Sequence, residues 1–138
     1  MAKANPSLGK PAAKQGDTVV GIDTHIIMIP SPGGPVPTPM PLPFSGKLAD
    51  SLSTDAFIEN MPAAIKGSVA NNLPPHIPSG GPFQDPPGNK ATIQMGSQTV
   101  FINNQPVAVL GSVANTCNDP ADAPNGNVIA TSTVLVGG

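Results

Sequence analysis

The chain has two histidines and one cysteine in 138 residues, and all three keep step with one recurring phrase. The phrase reads KPAAKQGD at residues 10–17, MPAAIKGS at 61–68 and QPVAVLGS at 105–112. Pro11, Pro62 and Pro106 each precede a glycine by five residues: Gly16, Gly67 and Gly111. His25 follows Gly16 by nine, His76 follows Gly67 by nine, and Cys117 follows Gly111 by six. Imidazole nitrogen and thiolate sulfur are donors that zinc takes in tetrahedral sites. A lone histidine is more often a surface or hydrogen-bonded group, and a lone cysteine a small buried apolar one. Three repeats delivering one donor each point instead to a single metal held by His25, His76 and Cys117. Asp23 and Asp119 lie two residues from His25 and Cys117, close enough to orient a ligand from outside the coordination sphere. Asp119 also precedes Pro120, and turn formation is the favoured reading for it. A Cys–His catalytic pair would need an oxyanion hole and a substrate pocket, and nothing in the sequence supplies either.

Elements that could position these donors are short β-strands between long loops. The runs 18–20, 22–29, 56–58, 91–95, 99–102, 107–109 and 128–130 have strand composition or alternation. Asn103-Asn104 reads as a tight hairpin turn, because asparagine tolerates positive φ. Asn125-Gly126 reads as the turn out of the loop at residues 115–127. A helical turn is expected near residues 48–52. The tract IPSPGGPVPTPMPLPF at 29–44 has a proline at every second or third position, which argues against helix and central strand. An extended polyproline loop is expected there, packed on the body through Met40, Leu42 and Phe44. A second proline-glycine loop, residues 71–90, carries His76.

A longer phrase precedes two copies of the first: STDAFIENMP at 53–62 and SQTVFINNQP at 97–106. STVLVGG at the C-terminal end is its truncated third copy, and GKPAAK at 9–14 is the natural continuation. Repeats whose ends complement each other can close a ring instead of stacking openly. A single all-β domain over residues 1–138 follows, pseudo-threefold and closed, with adjacent termini and with residues 1–9 extended or frayed. The donors are expected to meet on the threefold axis.

Composition narrows the function. Nineteen prolines and fifteen glycines would suit disorder, but only 10% of residues are charged, which does not. A net charge of −2, with no tryptophan or tyrosine, lacks the basic patch and stacking platforms that nucleic-acid binding uses. No apolar run is long enough to span a membrane, and the N-terminal stretch has no apolar core of a signal peptide. One cysteine cannot make an internal disulfide, and a metal is the other common staple of small domains.

KPAAKQGD resembles the phrase that gives PAAR-repeat proteins their name, with Lys14 where arginine is usual. DTHIIMIPSPGGPVPTP, NNLPPHIPSGGPFQDPP and NTCNDPAD are similar to the PAAR-like proteins of contractile injection systems. The likeness covers residues 10–138. It implies a small β-rich cone that caps a trimeric β-helical spike in one-to-three stoichiometry, in type VI secretion or a phage-tail-like particle. It also implies a zinc site of three histidines and one cysteine near the apex. His25, His76 and Cys117 match three of those ligands. The remaining histidine would fall at Leu42, which cannot coordinate. Water is then the expected fourth ligand, Asp119 or Asn118 the runner-up, and Leu42→His should tighten zinc binding. The likeness implies a structural, non-enzymatic tip for envelope puncture, with effector cargo and passing contact with a target membrane. It would be made in the bacterial cytoplasm and assembled at the front of the particle. Two alternatives stand beside it: a zinc hydrolase using an open coordination position, and a glycan- or protein-binding module using the proline tract.

Overall fold

Three alanines of the recurring phrase tie the fold together. The Ala13 N–H donates to the Ala108 carbonyl, Ala108 to Ala64, and Ala64 back to Ala13, at 2.9–3.0 Å. All three are fully buried, so the phrase needs its smallest side chain where three chain segments converge. One step outward the pattern repeats. Gln15, Lys66 and Leu110 each donate to the carbonyl of a phrase proline, Pro62, Pro106 and Pro11, at 2.9 Å. Gly16, Gly67 and Gly111 then turn with φ of 89°, 95° and 88°, a region that glycine enters without steric cost. Their N–H groups dock on the carbonyls of Leu48, Ile93 and Val128. In this computed structural model, which describes residues 9–137, the internal threefold is therefore written in backbone hydrogen bonds.

Around the ring stand three two-stranded ribbons. Strands β4 (Phe57–Ile58) and β5 (Met61–Pro62) form one, and β8 (Phe101–Ile102) and β9 (Gln105–Pro106) another. Their turns use Glu59-Asn60 and Asn103-Asn104, all at positive φ, as tight hairpins require. The third ribbon has no turn. It pairs β1 (Lys10–Pro11) with β12 (Leu135–Val136), matching Lys10 with Val136 and Pro11 with Leu135. The two ends of the chain thus complete the third copy, as the sequence phrases predict.

The remaining strands close a six-stranded antiparallel barrel. Its order is β10 (Val113–Thr116), β11 (Ala123–Ile129), β2 (Thr18–Ile29), β3 (Val36–Asp50), β6 (Val69–Asn72) and β7 (Lys90–Ile93), with β7 returning to β10. Val19, Phe44, Leu48, Ile93 and Val128 fill it, together with Ala70, Ala91 and Ala114. The fold is all-β, with no helix among the described residues, so the helical turn expected near residues 48–52 is not formed.

Two strands are not short, and one of them is the proline tract. Strand β3 runs for 15 residues and pairs with the 12-residue β2 from Thr18↔Lys47 to Ile29↔Val36. Parity explains why prolines are tolerated. The N–H groups of Thr24, Ile26 and Met28 point away from β3, to Asn118 Oδ1, Asp119 Oδ2 and the Pro82 carbonyl. The odd residues of β2 therefore exchange bonds with Thr38, Met40, Leu42 and Phe44. Pro37, Pro39, Pro41 and Pro43 fall between them and turn their nitrogens to the other edge. Strand β6 covers that edge only from Gly46 onward, so no ladder bond is lost. The same parity turns Met40, Leu42 and Phe44 inward and the prolines outward.

Asn125-Gly126 is likewise strand and not turn. Gly126 pairs with both Ala114 and Gly21. A Cβ on Gly126 would stand 2.9 Å from both Thr116 Cγ2 and Val19 Cγ1, so glycine serves close packing here.

Candidate metal centre

Strand β2 places Asp23 and His25 on its inward face, two residues apart, as the strand period requires. Cys117 follows the last residue of β10, and its N–H donates to the Lys90 carbonyl. His76 sits in the loop at residues 73–89, where its N–H donates to Asn89 Oδ1. The Asn72 side chain holds that loop to the barrel: its Oδ1 accepts from the Ser45 N–H and its Nδ2 donates to Asn89 Oδ1. His25, His76 and Cys117, which belong to three different repeats, are thereby brought together.

Asp23 joins them. One donor atom each from Asp23, His25, His76 and Cys117 lies within 4.8 Å of the others. His76 Nε2 is 2.8 Å from Asp23 Oδ2, and Cys117 Sγ is 3.3 Å from the same oxygen. Thr116 Oγ1 donates to Asp23 Oδ1. The His25 and His76 rings stand 5.1 Å apart, with Phe83 edge-on to His25 and Phe44 edge-on to His76. Apolar walls thus surround a polar group of four.

The group is buried and incompletely satisfied. Both ring nitrogens of His25 are buried without a hydrogen-bond partner. Leaving a buried polar atom unpaired costs about 1–3 kcal/mol. His25 Nδ1 faces Asp119 Oδ2 at 3.4 Å, while Nε2 has no such neighbour. Burial, reinforced by the Asp23 carboxylate, pushes the Cys117 thiol up to about 12. A cation among these donors would answer both features, giving His25 a partner and stabilising the thiolate. Oxygen, nitrogen and sulfur donors together are a set that zinc accepts. The described residues thus contain a buried group that could hold a metal ion.

Asp119 does more than shape a turn, since its carboxylate accepts from the Ile26 N–H and faces His25. The expectation of Asp119 or Asn118 as a local ligand fares differently. Asp119 lies outside the four-residue group, and the Asn118 side-chain oxygen is engaged by the Thr24 N–H and Asn125 Nδ2. Leu42 pairs across from Asp23 on the same face, bringing no donor. Asp23 is the residue whose part the sequence understated. Its signal is the Asp-x-His spacing, which becomes readable once residues 22–29 are known to be strand. No protein-family model matches the chain, and no curated protein matches it.

Proposed function

We propose that the protein is a rigid, zinc-stapled tip that seats on a trimeric partner, the spike of a contractile injection machine of the kind PAAR-like proteins cap. The observation that carries this reading is a threefold set of apolar knobs. Phe57, Phe101 and Leu135 hold equivalent places in the three ribbons and are 58%, 55% and 53% exposed. Each lies one residue after a carbonyl that accepts from the phrase's third position: Ala56 from Ala63, Val100 from Val107, and Val134 from Ala12. Three like protrusions about one axis suit three like subunits better than one asymmetric partner.

The four-residue donor group supports the mechanical half of the reading. His25 comes from β2, Cys117 from the end of β10, and His76 from the 73–89 loop. A bound ion would tie all three at the end of the barrel away from the ribbons. Structural zinc supplies about 10–16 kcal/mol of apparent folding energy in small domains. A point that must keep its shape under load gains from such a staple, and no enzymatic activity is assigned to it.

The test is mass in solution. The protein, mixed with the trimeric spike that accompanies it, should form a complex of one copy per trimer. Converting Phe57, Phe101 and Leu135 together to aspartate should abolish it without lowering the melting temperature. A three-to-three complex, or no complex with the spike, overturns the reading.

A further inference from the structure

We infer that Asp23 is the fourth ligand of the metal site, closing it with a carboxylate where the family pattern calls for a third histidine. This rests on the metal-staple reading of the same group and sharpens it to a donor set, a charge and a closed coordination shell.

Asp23 is fully buried, and Thr116 Oγ1 holds its Oδ1. The other oxygen, Oδ2, is thereby turned toward His76 Nε2 at 2.8 Å and Cys117 Sγ at 3.3 Å. Bonds of about 2.0–2.3 Å in a tetrahedral zinc site set neighbouring donors roughly 3.3–3.8 Å apart. The carboxylate oxygen is thus already near the spacing of a donor sharing one ion with the other two. Without an ion these contacts are hydrogen bonds, and an ion would take their place. The unpartnered, buried nitrogens of His25 are the independent sign that a cation belongs here. Hydrogen bonding satisfies Asp23, His76 and Cys117, whereas His25 makes no hydrogen bond, with the Asp119 carboxylate 3.4 Å from its Nδ1 and no such neighbour at Nε2.

Charge favours the same assignment. Two neutral imidazoles, one thiolate and one carboxylate sum to −2, which cancels a divalent ion. Water in place of Asp23 as ligand would leave a formal +1 on the coordinated ion, with the nearby carboxylate balancing it only from outside. Buried charge is tolerated when it is paired closely. Leu42 faces Asp23 across the β2–β3 ladder, so an apolar side chain there shields the carboxylate and does not leave a ligand missing. On this assignment Leu42→His adds nothing, because four donors are already present.

The experiment uses the full chain loaded with Co²⁺ and with Zn²⁺. Chelator competition measures affinity, and the visible spectrum of the Co²⁺ form reports coordination. Asp23→Asn should weaken Zn²⁺ binding by more than the roughly tenfold to hundredfold that loss of an outer partner costs, and should change the Co²⁺ spectrum. Leu42→His should leave the affinity of the parent unchanged and restore that of Asp23→Asn. In the unmutated protein, azide should leave the Co²⁺ spectrum as it is, because no exchangeable position exists; this readout needs no variant to fold. An azide-induced spectral change, or an Asp23→Asn protein that binds Zn²⁺ within about a hundredfold of the parent, overturns the fourth ligand while sparing the staple. An unmutated protein that binds neither ion overturns both.

Discussion

Cys117 is the residue on which the proposed metal binding and folding would meet most directly. Its thiol is moved from 9.0 to about 12 by burial and by Asp23, so the metal-free folded state keeps a proton that the unfolded chain gives up sooner. Stability of that form is therefore full below about pH 9 and declines as pH rises toward about 12. The loaded protein already carries the thiolate. It should weaken on the acid side instead, where protons compete with the metal for Cys117 and the histidines. Thermal melts of the two forms should show opposite slopes, and a shared profile would mean that Cys117 does not bind the ion. Strong chelation should lower the melting temperature, and Cys117→Ser should reproduce most of that loss. An unchanged melt after verified metal removal would make the site incidental to stability.

Strand β3 shows how an element can be built from residues that usually forbid it. Its prolines occupy one parity only, with their nitrogens toward the edge that β6 leaves open. Moving a proline by one place should be severe: Met40→Pro would remove a bond to β2 and should cost about 3 kcal/mol or more in denaturant unfolding. Pro39→Ala with Pro41→Ala should cost little stability, about 1 kcal/mol or less. It would give the open edge N–H donors, so concentration-dependent self-association should appear by light scattering. The ring alanines are similarly exacting, and Ala64→Leu should destabilise by about 1–3 kcal/mol through overpacking. These elements were unequally legible in the sequence. The phrase, the Asn103-Asn104 turn and the split third ribbon depend on local or repeated residues, and they could be read directly. The proline strand could not, because propensity scores prolines one at a time whereas ladder parity decides their cost. Asp23 was underrated for a related reason: its place beside His76 and Cys117 depends on Thr116 and on loops that reach it from distant parts of the chain.

Taken whole, the molecule presents three similar faces, although they differ in detail. Phe57→Ala and Phe101→Ala should weaken binding to the proposed trimeric partner to similar extents, and Leu135→Ala somewhat less, because leucine buries less area than phenylalanine. Titration calorimetry on the three single variants would show this, and an effect confined to one knob would argue for an asymmetric contact. The third ribbon differs in another way, since β12 and β1 pair without a turn joining them. Among the described residues the backbone is in effect a ring open between residues 137 and 9, where the other two ribbons have a turn. The position of that opening should be interchangeable. A permuted chain, sealed between residues 137 and 9 and opened between Asn103 and Asn104, would exchange one opening for another of the same kind. It should fold to the same ring and bind the same ion, with a melting temperature close to that of the parent.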